Sequence, residues 1–275
     1  MRLLTSVTLL SSVNLLAVAD TPIPEHADSR VIKALTFQPN WLEELSPAWH
    51  SRLETTRVVP APDAAQFPHA LEVHFPKGAV GPGEGGAQFP LLFRKWQGMN
   101  DHYEDLTLSY CLKFNEDFDF VMGGKLPGLI GGEDSWTRSG GNQPDGSNGW
   151  TLRYMWRTGG QAVIYAYLPP SPNGRYGSAT WGQDIALNRT FIPEQWHCLK
   201  QRVVINDIGE ENGQLQVWFD GEQVLSLNNI TYRTQDNNAG KIGGMYFSTF
   251  HGGNTRDWAP SKDSSLLING FAFSQ

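Results

Sequence analysis

Two segments of the chain combine residue types that hold an anion and move a proton. The first is Gly123-Gly-Lys-Leu-Pro-Gly-Leu-Ile-Gly-Gly132, in which Lys125 is the single charged residue among five glycines and a proline. The second runs Trp150-Thr-Leu-Arg-Tyr-Met-Trp-Arg157, Thr158-Gly-Gly160, Gln161-Ala-Val-Ile-Tyr-Ala-Tyr167. Closed as a hairpin over three residues, it pairs Arg157 with Gln161, Met155 with Val163, Arg153 with Tyr165 and Thr151 with Tyr167. Strand side chains alternate, so these pairs share one face. Leu152, Tyr154, Trp156, Ala162, Ile164, Ala166 and Leu168 share the other, which reads as the core side. The polar face offers fixed positive charge for a carboxylate. It also offers phenols, which exchange protons once adjacent cations lower their ordinary pKa of about 10. A solvated face with cross-strand Arg–Tyr stacking would satisfy the same alternation.

Lys125 tips that balance towards function, because a glycine-rich, proline-containing loop lets backbones pack closely and presents one side chain rigidly. A tight turn carrying a solvated lysine is the plainer alternative. GGKLPG lacks the G-x-x-x-x-G-K-[ST] spacing of a phosphate loop. His251, in Phe250-His-Gly-Gly253, is a further candidate at a strand end, although a histidine beside glycines is more often a rim residue. Asp117 and Asp119, in Asn115-Glu-Asp-Phe-Asp-Phe120, alternate onto one face and offer an acid and a base for glycoside hydrolysis, or are solvated residues on the strand leading into the lysine loop. No H-E-x-x-H or finger-like ligand spacing occurs, so the sequence assigns no metal ligands and no cofactor. A G-x-S-x-G elbow is also missing, which disfavours serine-hydrolase chemistry.

These groups need a framework of strands. Short alternating or β-branched runs separated by Gly, Pro, Asn and Asp predict strands over residues 71–75, 106–114, 150–157, 162–168, 198–206, 214–220, 222–227, 245–250 and 266–273. Asp220-Gly221 marks a hairpin turn. One short helix is expected over residues 41–45, ended by Pro47. The pattern is all-β: a sandwich or jelly roll, with residues 131–149 as a long polar loop at the rim of a sheet.

Residues 1–19 carry Arg2, an apolar run and Ala17-Val18-Ala19, the pattern of a secretory signal, so residues 20–275 are expected as one exported domain. No later stretch is long and apolar enough for a membrane-spanning helix. A net charge of -7 argues against nucleic acid as partner. Yet between Gly123 and Arg175 the basic residues Lys125, Arg138, Arg153, Arg157 and Arg175 outnumber Glu133, Asp134 and Asp145, so an anionic ligand is expected there. Cys111 and Cys198 occupy similar strand-like contexts; a bridge and two buried thiols both fit. A monomer is expected.

GGKLPGLIGG, WTLRYMWR, the Tyr165-Ala-Tyr-Leu-Pro169 ending, Phe247-Ser-Thr-Phe-His-Gly-Gly253 and Trp258-Ala-Pro260 together resemble polysaccharide lyase family 14. Parts of the pattern are shared with jelly-roll glucuronan lyases. The resemblance implies a concanavalin A-like β-jelly roll of two antiparallel sheets. It implies alginate or related uronate lyase activity on an anionic polysaccharide, without metal. It carries the family's lysine onto Lys125, its strand arginine onto Arg153 and its tyrosine pair onto Tyr165 and Tyr167. Thr151 stands where some members have serine, and Arg157 and His251 join it as substrate-binding candidates. The lyase reaction removes the C5 proton of a uronate and expels the C4 oxygen, with Tyr165 expected as acid and base, Tyr167 positioning the sugar, and Lys125 and Arg153 neutralising the carboxylate. Because ten tryptophans suit a sugar-binding lectin equally well, a lectin and a glycoside hydrolase remain the competing readings.

Overall fold

The computed structural model describes residues 30–275 apart from 65–66 and 178–179, so the leader and the expected mature start at Asp20 lie outside the described residues. In chain order the strands are β1 (Val31–Leu35), β2 (Thr56–Pro60), β3 (His69–Phe75), β4 (Ala87–Leu92), β5 (Asp105–Phe114), β6 (Gly123–Gly131) and β7 (Thr151–Arg157). They continue as β8 (Gln161–Tyr167), β9 (Gln183–Thr190), β10 (His197–Val204), β11 (Gly213–Phe219), β12 (Glu222–Ile230), β13 (Ile242–Thr249) and β14 (Ser264–Ser274). Among the described residues the one α-helix, α1 (Trp41–Leu45), stops at Ser46 in the left-handed region, just before Pro47.

The strands form two antiparallel sheets. The larger has the order β12-β11-β10-β5-β14-β3-β2, with β1 added on β14, and the smaller has β4-β13-β6-β7-β8-β9. Their facing surfaces enclose one core, to which the inner face of the β7–β8 hairpin contributes Leu152, Tyr154, Trp156, Ala162, Ile164, Ala166 and Leu168, as the alternation requires. The hairpin has the expected register, Thr151 opposite Tyr167, Arg153 opposite Tyr165 and Met155 opposite Val163. Asp220 and Gly221 both take positive φ in the β11–β12 turn, as a two-residue hairpin demands. β5 and β10 pair with Cys111 directly opposite Cys198, and a disulfide joins them across 87 residues of sequence.

The sequence pattern overlooks β1, β2, β4 and β9. β4 and β9 are the two edges of the smaller sheet, where Pro90 in β4 and the exposed polar run of β9 are tolerated. The larger correction concerns the lysine segment. It is not a loop but β6, a central and wholly buried strand. The glycines serve close packing: a Cβ on Gly128 would lie 1.9 Å from the Leu152 carbonyl oxygen, and one on Gly124 would lie 2.0 Å from the Trp156 ring.

Pro127 cannot donate to a ladder, and the pairing of β6 with β7 slips between Lys125 and Gly128, which marks a bulge. The opposite sheet satisfies the displaced backbone groups. The Tyr110 hydroxyl donates to the Pro127 carbonyl at 3.0 Å. Gln201 Oε1 accepts from the Leu129 N–H at 3.1 Å, while its Nε2 donates to the Leu152 carbonyl at 3.2 Å. Gln201 is fully buried, so removing its amide leaves core backbone groups unpaired. Gln201→Leu should therefore lower the unfolding free energy by about 1–3 kcal/mol, measured by denaturant titration; an unchanged midpoint would show that the bulge does not need the bridge.

Candidate active site

The outer face of the smaller sheet is lined by one register row. Tyr246 on β13 is opposite Gly128 on β6, Gly128 opposite Arg153 on β7, Arg153 opposite Tyr165 on β8, and Tyr165 opposite Asp184 on β9. Two phenols, a guanidinium and a carboxylate thus stand in line. Gly128 contributes no side chain, which lets Arg153 reach across it, with Cζ 5.5 Å from the Tyr246 ring centroid and 5.9 Å from that of Tyr165.

Tyr246, Arg153 and Tyr165 of this row line a cleft of about 600 Å³. Lys125 enters from the bulged strand, with Nζ 4.5 Å from the centroid of Tyr165 and 5.6 Å from that of Phe250. Arg157 flanks Tyr165 at 5.6 Å and the Trp258 ring at 5.7 Å. It is held by a two-pronged ion pair with Asp184, at 2.7 and 2.6 Å. Tyr165 and Tyr167 meet edge to face at 5.5 Å, and the Tyr167 hydroxyl accepts from the Gly141 N–H at 3.2 Å. The structure therefore brings Lys125, Arg153, Arg157, Tyr165 and Tyr167 together, as the sequence reading required.

The charges do not balance. Arg153 is 3% exposed, donates from Nη1 to Ser248 Oγ at 3.1 Å and leaves Nε without a partner. Among the described residues no carboxylate pairs with Arg153 or Lys125, because Asp184 is taken by Arg157. Burial, and then repulsion from Arg153 and Arg157, hold the Lys125 ammonium well below the ordinary lysine pKa, against a smaller pull from Asp184. The phenol of Tyr165 moves the opposite way. Burial pushes it above the ordinary value, Tyr167 adds to the rise, and Arg153 and Arg157 only partly oppose it. This corrects the expectation that the cations bring the phenol down, since desolvation of the phenolate outweighs their attraction.

Thr151 and His251 do not reach the cleft. The Thr151 hydroxyl is fully buried and donates to the Arg138 carbonyl at 3.0 Å, so it ties down the rim segment from Ser139 to Gly141 instead of meeting a ligand. His251 lies beneath the sheet, stacked on Phe118 and edge-on to Phe75 and Trp156, with Nε2 donating to the Asp119 carbonyl at 2.7 Å. Burial lowers its pKa, so it braces the start of β6 as a neutral ring opposite Gly124. The hydrolase pair fails as well. Asp117 and Asp119 lie in the turn between β5 and β6, not on a strand. Asp117 faces Lys262 at the surface, and Asp119 accepts from the N–H and hydroxyl of Ser261 at 2.8 and 2.6 Å.

Sequence reasoning missed Gln88, Tyr246 and Trp181, and gave no site role to Ser248 and Trp258, although both lie in the motifs that carry the family resemblance. Alternation along β13 would have placed Tyr246 and Ser248 on the cleft face, but nothing local reveals Gln88, which stands on the unrecognised edge strand β4.

The family model described as Polysaccharide lyase 14 matches residues 63–271. No curated protein sequence matches the chain. Among solved structures, the chain is similar to the PL-14 alginate lyase from Aplysia kurodai, at 26% identity and a TM-score of 0.76, covering 89% of this chain and 98% of that one. It is also similar to alginate lyase vAL-1 from Chlorella virus, at 20% identity and a TM-score of 0.71, covering 90% and 100%. The endo-beta-1,4-glucuronan lyase from the fungus Trichoderma reesei is more distant, at 12% identity and a TM-score of 0.57, covering 90% and 96%.

A buried lysine without a counter-charge costs stability. The unfolded chain binds a proton that the folded site resists, so stability should rise with pH until the ordinary lysine range is reached. Lys125→Met should therefore unfold at a higher temperature than the parent at neutral pH, with a gain of about 1–3 kcal/mol. The gain should shrink towards zero as pH approaches the ordinary lysine pKa; a destabilised variant at neutral pH would contradict the charge imbalance.

Proposed function

The chain belongs to polysaccharide lyase family 14, and from that premise we propose that it cleaves alginate by β-elimination, with polymannuronate as the preferred block. The observation that carries the substrate class is Arg153, a buried fixed cation with no carboxylate among the described residues, facing a cleft wide enough for a sugar. A uronate brings the missing anion. The Aplysia kurodai enzyme, the more similar of the named neighbours, is an alginate lyase, which favours alginate over glucuronan as the polymer.

The proton roles follow from the opposed shifts. Arg153 holds the sugar's carboxylate and stabilises the enolate charge that develops on it. The Lys125 amine, its pKa depressed, is the available acceptor for the C5 proton, and the Tyr165 phenol, kept protonated, is the available donor to the C4 oxygen. The C5–H electron pair becomes the C4=C5 double bond as the C4–O bond breaks, and the departing oxygen leaves with the Tyr165 proton. One proton is taken up and one delivered, so no oxidant or hydrolytic water is consumed. Loss of the proton from Lys125 and reprotonation of the Tyr165 phenolate reset the site.

Both groups stand on the same face of one sheet. Mannuronate carries its C5 proton and C4 oxygen on the same side of the ring, whereas guluronate places them on opposite sides and calls for groups on two faces. Tyr167, fixed by Gly141, orients the sugar beside Tyr165. All these groups come from one chain, in keeping with a monomeric enzyme, and the Cys111–Cys198 bridge supports export to an oxidising compartment after loss of residues 1–19.

Incubated with polymannuronate, polyguluronate and glucuronan, the purified chain should generate ultraviolet-absorbing unsaturated ends fastest from polymannuronate. Shortening of the polymer without new absorbance would indicate hydrolysis, and binding without shortening a lectin. Lys125→Arg supplies a fixed positive charge but cannot accept a proton at working pH. It should reduce kcat by about 10²–10⁴-fold, as should Tyr165→Phe. Substantial activity in Lys125→Arg would return Lys125 to a purely electrostatic role.

A further inference from the structure

Gln88 is 6% exposed, lies on the cleft face of edge strand β4 and is opposite Ser248 in the register with β13. Its backbone is fixed on both sides, accepting from and donating to Ser51 at 2.8 and 3.1 Å. Its side chain is joined to the phenol of Tyr246, which shares the cleft face of β13 with Ser248. A guanidinium only donates, so Ser248 Oγ accepts from Arg153 Nη1. The Tyr246 hydroxyl donates to Gln88 Oε1 at 2.5 Å. The carbonyl end of the Gln88 amide is thereby assigned to Tyr246, and its NH2 points away from that bond.

That NH2 has no acceptor among the described residues, and neither has Arg153 Nε. Three nitrogen groups bordering the cleft, on Gln88, Arg153 and Lys125, thus lack an acidic partner, which is the donor surplus a carboxylate removes. We propose that Gln88 is a carboxylate-binding residue of the site, its amide turned towards the uronate by the hydrogen bond from Tyr246. The carboxylate sits between the amide of Gln88 on β4 and the guanidinium of Arg153 on β7. Tyr246 is a positioning residue that sets the amide's orientation without touching the sugar's reacting atoms. This assignment rests on the uronate reading of the cleft and deepens it.

Titration calorimetry with a saturated mannuronate oligomer, with ultraviolet absorbance recorded on the same samples, separates the two readings. Gln88→Ala should weaken binding about tenfold. Gln88→Glu keeps the volume and the acceptor for Tyr246 but replaces the amide donors by negative oxygens. It should weaken binding about a hundredfold at neutral pH and recover towards the alanine variant as the new carboxyl protonates, a pH signature that a packing role would not give. Tyr246→Phe should weaken binding a few-fold, because the amide is free to turn. A mannose oligomer, lacking carboxylates, should bind the parent and Gln88→Ala alike. If both Gln88 variants bind the uronate within threefold of the parent, with melting temperatures unchanged, the Gln88 assignment is overturned, even where parental absorbance upholds the lyase. Weakened binding in the variants with no parental absorbance would keep the carboxylate site and overturn the lyase. A parent that binds no uronate overturns both.

Discussion

A guanidinium that cannot lose its proton is buried within a sheet with no carboxylate paired to it among the described residues, and most features of the site answer to that fact. Arg153 contributes to depressing the Lys125 ammonium and donates to Ser248, on the same strand face as the Tyr246 that holds Gln88. Its charge is only softened by the aromatic faces of Tyr165 and Tyr246. Those faces accept a cation without neutralising it, so the site retains an uncompensated positive charge. An ion pair in this place would have been easier to bury and would have closed the site to substrate. The one carboxylate in the row, Asp184, is directed to Arg157 at the sheet edge.

Holding such a group still is the work of the fold. The slip at Pro127 changes which residues of β6 lie opposite β7, so that Lys125 and Gly128 both fall next to the β7–β8 hairpin. The displaced backbone groups are satisfied from the far sheet by Tyr110 and Gln201, so the two layers are joined by directed bonds directly behind the site as well as by apolar packing. His251, Phe118 and Trp156 pack under the first residues of the same strand. Electrostatic stabilisation depends on donors that do not reorganise during the reaction, and this backing supplies that rigidity.

The rim is built differently. Thr151 anchors the segment that gives the Gly141 N–H to Tyr167, and Gly182 lies so close to both tyrosines that a Cβ there would come within 2.5 Å of the Tyr167 ring and 2.7 Å of that of Tyr165. Beside it Trp181 is 54% exposed, with the half-buried Trp258 also lining the cleft. Phenol placement therefore depends on loop segments from two parts of the chain, while the cations depend on the sheet.

What the sequence alone determined is the hairpin and its two faces, because a period of two and a three-residue turn are local rules that fix which side chains share a surface. The Asp-Gly turn, the all-β class and the grouping of Arg153 with Tyr165 and Tyr167 follow from the same locality, whereas Lys125 joined them through the family resemblance alone. The tertiary structure alone decided that the lysine segment is a bulged central strand, because glycine and proline look the same in sequence whether they serve a turn or the close approach of a neighbouring ring. It decided that Cys111 and Cys198 are bridged, since that depends on the register of strands far apart in the chain. It drew Thr151, His251, Asp117 and Asp119 out of the site and brought Gln88 and Tyr246 in, by pairings separated by up to 160 residues or so. It also reversed the expected direction of the Tyr165 shift. Burial is a property of the assembled layers, and desolvation of a phenolate outweighs nearby cations whose charge the sequence displays but whose surroundings it does not.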